Sequence, residues 1–151
     1  MKVNVDTYVL PEESDRFLAE VLPSSNPLRQ AWEVLSCEEK EGYLLAAMRR
    51  LEAVNYKGDR VWFYQPLKFP RIARNIPPDF QNAPVEVKRA QVVWATDVLR
   101  EELFVKRRNN EACIALGLVK AGTEAETPSE SKMPKLVYEL LHRWLTSWRR
   151  V

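Results

Sequence analysis

The chain has 151 residues and a formal net charge of +2, from 23 Lys and Arg against 21 Asp and Glu, and 46% of its residues are hydrophobic. That is about one domain with enough apolar material for a core, and it excludes both a disordered tail and a globally basic nucleic-acid binder. One His, two Cys far apart (Cys37 and Cys113) and apolar runs well short of roughly 18 residues give no basis for a metal site, a disulfide framework or a membrane span.

The start, Met1-Lys2-Val3-Asn4-Val5-Asp6, has an acid where a secretory signal needs a basic and then an apolar region, so the expectation is a protein kept inside the cell. Pro11-Glu12-Glu13-Ser14 opens a first helix, with acids against the positive end of its dipole and a stripe of Phe17, Leu18, Val21 and Leu22. Pro23 ends it. Asn26-Pro27 restarts a short helix with Leu28, Ala31, Trp32 and Leu35 at 3/4 spacing. Ser36-Cys37-Glu38-Glu39 reads as a capping box for a third helix to about Val54, with Leu44, Ala47, Met48 and Leu51 buried. Gly42 inside that helix costs up to about 1 kcal/mol of propensity and is expected to mark close packing.

Residues 55–83 lose the helical period, because Gly58 supplies a turn and Pro66, Pro70, Pro77 and Pro78 forbid a long helix or a central strand. With Tyr56, Trp62, Phe63, Tyr64, Phe69 and Phe80 the segment is too aromatic for a disordered linker, so an ordered loop is expected. Asn82-Ala83-Pro84 starts the longest helix, expected to be central and to run to about Val105. Val85, Val92, Leu99 and Leu103 lie on one line of it, beside Trp94 and Val98. Residues 112–122 are short and apolar and read as a strand, with helix as the alternative. Residues 123–133 have the composition of a linker or arm. Pro134 begins a last helix whose apolar face holds Val137, Leu141, Trp144, Leu145 and Trp148, with Arg143, Arg149 and Arg150 for charge. Such a helix can close the core or dock on a partner through Trp144, Trp148, Arg149 and Arg150.

The expected fold is therefore mainly α: a small helical bundle with a long central helix, an ordered proline-rich loop, a short strand or hairpin, and a C-terminal helix on a flexible linker. The boundaries are 1–122 for the domain, 123–133 for the arm and 134–151 for the last helix. Catalysis is not expected. GxGxxG, Walker, GxSxG and HExxH patterns are missing from the sequence, and neighbouring acids such as Glu38 and Glu39 point about 100° apart on a helix. His142, beside the last apolar face, reads as a packed side chain rather than a base.

Charge is uneven along the chain. Residues 1–50 carry 6 basic and 9 acidic side chains, residues 51–100 carry 8 and 5, and residues 101–151 carry 9 and 7. Unlike ends suit a head-to-tail oligomer, and equally a mixed solvated surface. The densest cluster is Lys57, Arg60, Lys68, Arg71 and Arg74 against the single acid Asp59, interleaved with Trp62, Phe63, Tyr64 and Phe69. Cations for phosphates and rings for bases are the means of a single-strand binder. The alternative is core anchoring: in an extended segment Gln65, Leu67 and Phe69 face one way and fix the loop, leaving the cations in water.

The order Tyr56-Lys57-Gly58-Asp59-Arg60, then Gln65-Pro66-Leu67-Lys68-Phe69-Pro70-Arg71, then Ile76-Pro77, then a helix from Val85 to Ala90 resembles a phage family described as DnaT-like single-stranded-DNA-binding proteins. Its usual motifs are W-x-G-x-R, Q-x-L-x-[FW]-P-R and an I-P step. Tyr8-Val9-Leu10-Pro11-Glu12-Glu13 resembles the family's entry to its first helix and residues 40–51 its second, so that the resemblance covers about residues 5–122. Tyr56 stands where the family tends to have Trp, and Leu10 where a Ser or Thr cap is commoner.

The family also resembles the helical head–tail connector adaptors of long-tailed phages. That resemblance implies a virion protein assembled in the host cytoplasm as a dodecameric ring. The portal would lie above it, a tail or stopper protein below, and DNA would pass non-specifically through a channel lined by Lys57, Arg60, Lys68, Arg71 and Arg74. Tyr56, Gly58, Gln65, Leu67, Phe69 and Pro70 would be structural anchors of the motif, with no cofactor and no membrane. The family's own description implies instead a replication accessory that binds single strands through residues 56–74.

Overall fold

The computed structural model describes residues 1–116 and 133–146. In chain order the elements are α1 (Pro11–Val21), α2 (Pro27–Glu33), α3 (Cys37–Ala53), β1 (Asp59–Arg60), β2 (Arg71–Ile72), α4 (Val85–Leu116) and α5 (Lys135–Leu141). The chain is mainly helical, and β1 and β2 form a two-residue antiparallel ladder pairing Asp59 with Ile72 and Arg60 with Arg71.

The helix starts follow the local chemistry of the sequence. α1 and α2 each have proline in the first turn, where the missing N–H is no loss. The Asn26 side chain accepts hydrogen bonds from the N–H groups of Leu28 and Arg29 at 2.9 and 3.4 Å. At α3 the capping box is complete: Glu39 N–H donates to Ser36 Oγ at 3.2 Å, and Ser36 N–H donates to Glu39 Oε2 at 2.8 Å. The bond from the Ser36 backbone holds the Glu39 carboxyl below its ordinary range.

α3 and α5 are the main neighbours of α4. Leu44, Ala47, Met48 and Leu51 of α3 are all buried, as their spacing predicts. On α4, Val92, Trp94 and Leu99 are buried as expected, joined by Val87, Ala90, Gln91 and Ala95, whereas Val85 and Leu103 are exposed. Val85 lies in the first turn, at the rim of the bundle, and Leu103 lies where α4 leaves it. Val137, Leu141, Trp144 and Leu145 from α5 and the turn after it close the same core cluster.

Three expectations need correction. α4 does not stop near Val105 but continues to Leu116, so that residues 112–116 are helical rather than a strand. The physical reason is continuity, since residues 85–116 contain neither proline nor glycine. Residues 117–122, the arm at 123–132, and Trp148, Arg149 and Arg150 lie outside the described residues. Gly42 does not mark close packing either: it is exposed, and a Cβ placed there would meet nothing within 4 Å. Val21, expected in the α1 stripe, is exposed because α1 ends there.

Candidate nucleic-acid interface

The segment between α3 and α4 is built around Phe69, which is fully buried. Three rings meet it edge-on: Tyr56 at 4.8 Å between centroids, Trp144 at 5.1 Å and Tyr8 at 6.0 Å. Beneath them runs a polar network. The Tyr8 hydroxyl donates to Glu52 Oε1 at 2.6 Å and accepts from Phe69 N–H at 3.1 Å, while Lys68 N–H donates to both Glu52 oxygens at 3.1 Å. The Tyr56 hydroxyl donates to the Leu51 carbonyl at 2.9 Å. Burial, then the bond to Glu52, pushes the Tyr8 pKa well up. Burial does the same for Tyr56.

Gln65 and Arg71 fold the hairpin between β1 and β2. Gln65 Nε2 donates to the carbonyls of Leu67 and Pro70 at 2.7 and 3.0 Å, and its Oε1 accepts from Trp62 N–H at 3.0 Å. The Arg71 guanidinium donates to four backbone carbonyls: Lys57 at 3.0 Å, Tyr56 and Lys68 each at 3.4 Å, and Gly58. Gly58 has φ +74°, and a Cβ there would collide with the Ile72 carbonyl, so both backbone conformation and space require glycine. The Phe69–Pro70 peptide bond is cis.

The five basic candidates separate into two groups. Lys68 donates from Nζ to the Val54 carbonyl at 2.7 Å and lies 5.9 Å over the Tyr56 ring. Like Arg71 it is turned onto the fold, and desolvation lowers both pKa values. Neither presents a free cation. Lys57, Arg60 and Arg74 are exposed. Arg60 is in β1 immediately before the hairpin tip, and extending the ladder register by two places sets Lys57 opposite Arg74 at its base.

The tip itself is aromatic and faces water. Phe63 is 99% exposed, Tyr64 81% and Trp62 50%, and the rings of Trp62 and Tyr64 lie within 25° of parallel, 6.3 Å between centroids. Of the two readings of the segment, core anchoring describes Gln65, Leu67 and Phe69, whereas Trp62, Phe63 and Tyr64 point away from the core. Strand alternation does not separate the two sets. Alternation would send Phe63 inward with Gln65, but the Gln65 N–H bond to the Trp62 carbonyl at 3.2 Å turns the chain there and ends the alternation.

A family model described as "Putative DnaT-like ssDNA binding protein" matches residues 1–148. The chain belongs to this DnaT-like family. The match extends beyond the 5–122 expected from the motifs and takes in α5. In this DnaT-like chain the motif residues Tyr56, Gly58, Gln65, Leu67, Phe69 and Arg71 hold the loop together, and the outward aromatics are the non-motif residues between them. No curated protein and no solved structure matches the chain.

The remaining candidates have plain surroundings. Trp144 is buried against Phe69 and is not presented to a partner. His142 is exposed, with Nδ1 2.6 Å from the Glu139 carbonyl. Among the described residues no group of three or more His, Cys, Asp or Glu could hold a metal ion, and no helix is long and apolar enough to cross a membrane.

Proposed function

We propose that this chain binds single-stranded DNA at the tip of the β1–β2 hairpin, as a binding protein without a catalytic step or cofactor. The observation that carries this reading is the set of three adjacent solvent-facing rings, Trp62, Phe63 and Tyr64, on a loop fixed from behind by Gln65 and Arg71. Exposed aromatic surface of this kind is costly unless something covers it. Nucleobases fit because each has a π-face, at about 1–3 kcal/mol per stacked base, and Arg60, Lys57 and Arg74 stand where a sugar–phosphate backbone would pass. The family description agrees with this ligand.

The test is fluorescence anisotropy of the full chain with a labelled oligo(dT) and with a duplex of equal length. Replacing Trp62, Phe63 and Tyr64 together by Ala should weaken oligo(dT) binding at least about tenfold without lowering the melting temperature. Unchanged affinity in that variant would sink the assignment.

A second reading, the phage head–tail adaptor ring residing in the virion, is favoured by one pair of features. Phe63 protrudes as an apolar knob, and Val9, Phe17, Val85 and Val92, with Glu13, Lys88 and Arg89, line a small cleft of about 130 Å³ between α1 and α4. A closed head-to-tail ring needs two different patches on one chain, and the knob and the cleft would supply them. In that reading the hairpin meets a neighbouring subunit, with portal and tail proteins on the two sides of the ring and DNA in its channel. Mass spectrometry of purified particles separates the readings: a few to a dozen copies per particle would support the adaptor, and absence from particles would remove it.

A further inference from the structure

The turn at the hairpin tip carries side chains that neither the turn nor the core calls for. Gln65 N–H donates to the Trp62 carbonyl at 3.2 Å, so residues 62–65 form a four-residue turn with Phe63 and Tyr64 at its centre. Those two positions favour glycine, asparagine, aspartate or serine on backbone grounds. Burial does not explain the rings either, since Phe63 is 99% and Tyr64 81% exposed. The backbone beneath them is nevertheless fixed. The buried Gln65 side chain ties Trp62 N–H to the carbonyls of Leu67 and Pro70, and Val61 N–H donates to the Pro70 carbonyl at 3.3 Å.

The three rings of the tip are not equivalent. Trp62 and Tyr64 lie side by side, 25° from parallel, and form a flank on which unpaired bases can stack. Phe63 stands at the apex with both faces of its ring open. A projecting apolar side chain of this kind is the wedge with which proteins enter a base stack. Inside an intact duplex it must first open a base step, which costs at least as much as one stacked ring returns. At the end of a duplex nothing has to be opened, because the terminal pair already presents a bare π-face. Phe63 therefore gains nothing from the interior of a duplex and its full stacking from an end.

The cations give the path of the strand beyond that pair. Arg60 lies two residues before Trp62, and Lys57 and Arg74 lie at the base of the hairpin, so exposed positive charge runs from tip to base along one element. Asp59 is the only acid between residues 57 and 74. We infer that the preferred ligand of the hairpin is a junction between duplex and single-stranded DNA, with Phe63 stacked on the terminal base pair and the unpaired strand running over Trp62 and Tyr64 toward Arg60, Lys57 and Arg74. The inference rests on the single-strand reading and narrows its ligand from any single strand to one attached to a duplex end. A blunt duplex lacks the strand that meets the flank and the cations, and a free strand lacks the pair that meets Phe63.

Fluorescence anisotropy of the full chain tests this with three labelled DNAs: oligo(dT), a duplex bearing a dT tail of the same length, and that duplex without its tail. The tailed duplex should bind about tenfold tighter than oligo(dT), the effect of one additional stacked ring, and the blunt duplex more weakly than either. Phe63→Ala should bring the tailed duplex and oligo(dT) within about twofold of each other. Its thermal melt should be unchanged, because the exposed ring holds nothing in the fold. Phe63→Trp should retain the preference. Equal affinity of the parent chain for the tailed duplex and oligo(dT) would overturn the inference and leave the single-strand reading standing. A preference that survives Phe63→Ala, or a blunt duplex bound as tightly as the tailed one, would overturn it as well. Binding of neither the tailed duplex nor oligo(dT) would remove the single-strand reading and the inference together.

Discussion

The Tyr8 hydroxyl lies 2.6 Å from the Glu52 carboxylate, joining the segment before α1 to the last turns of α3 across 44 positions of sequence. Its consequence is a pH dependence with a definite sign. A tyrosine whose folded pKa is raised keeps its proton while the unfolded chain releases it near the ordinary value of 10.0. Stability from this group is complete below pH 10 and falls as pH rises further, by up to about 1.4 kcal/mol per pH unit. Tyr56 shifts in the same direction through burial. Thermal melts between pH 8 and 12 should fall steeply above about pH 10. Tyr8→Phe should flatten that fall and cost about 1–2 kcal/mol at neutral pH, because Phe69 N–H and Glu52 each lose a partner.

Arg71 and Arg60 are ladder partners with opposite roles. Arg71→Ala strips hydrogen bonds from four carbonyls and should destabilise the fold by about 1–3 kcal/mol. Arg60→Ala, at an exposed position, should change stability by no more than about 0.5 kcal/mol. Urea melts of the two variants give the comparison. Equal stabilities would mean that water replaces the Arg71 contacts without loss.

Most of the helical frame was legible because its signals are local. Proline at the first turn, the Ser36–Glu39 box and the 3/4 spacing of Leu44, Ala47, Met48 and Leu51 specify elements without knowledge of what packs on them. The end of α4 was not legible, because a short apolar run such as 112–116 has the same composition in a strand as in a helix. The hairpin was half legible. Alternation placed Gln65, Leu67 and Phe69, but the division of five like-charged residues into two structural and three solvent-facing ones depends on which carbonyls a long side chain can reach. Carbonyls of residues as far apart as Tyr56 and Lys68 converge on Arg71 only after folding.

Two glycines should respond oppositely to alanine. At Gly42 the helix is open and the residue exposed, so Gly42→Ala should stabilise the protein by about 0.5–1 kcal/mol through the lower backbone entropy of the unfolded chain. At Gly58 the positive φ and the Ile72 carbonyl oppose any side chain, so Gly58→Ala should lower stability by more than that gain. Differential scanning calorimetry of both variants measures the pair. A destabilising Gly42→Ala would mean that the outer face of α3 is covered in the native assembly.

Salt dependence separates the charged from the aromatic part of the hairpin. For single strands the slope of log affinity against log salt is about −0.7 for each phosphate neutralised. Three solvent-facing cations, Lys57, Arg60 and Arg74, therefore predict a slope near about −2 for oligo(dT). Replacing Arg60 and Arg74 by Ala should reduce it to about −0.7. Trp62→Ala should instead lower affinity at every salt concentration, by about tenfold, and leave the slope unchanged, because stacking on a ring releases no counterion. Anisotropy titrations from 50 to 200 mM salt give both quantities. A slope that stays near the parent value without Arg60 and Arg74 would move the phosphate path to another face of the protein, and a Trp62 variant that changes the slope alone would assign the hairpin a charge role without stacking.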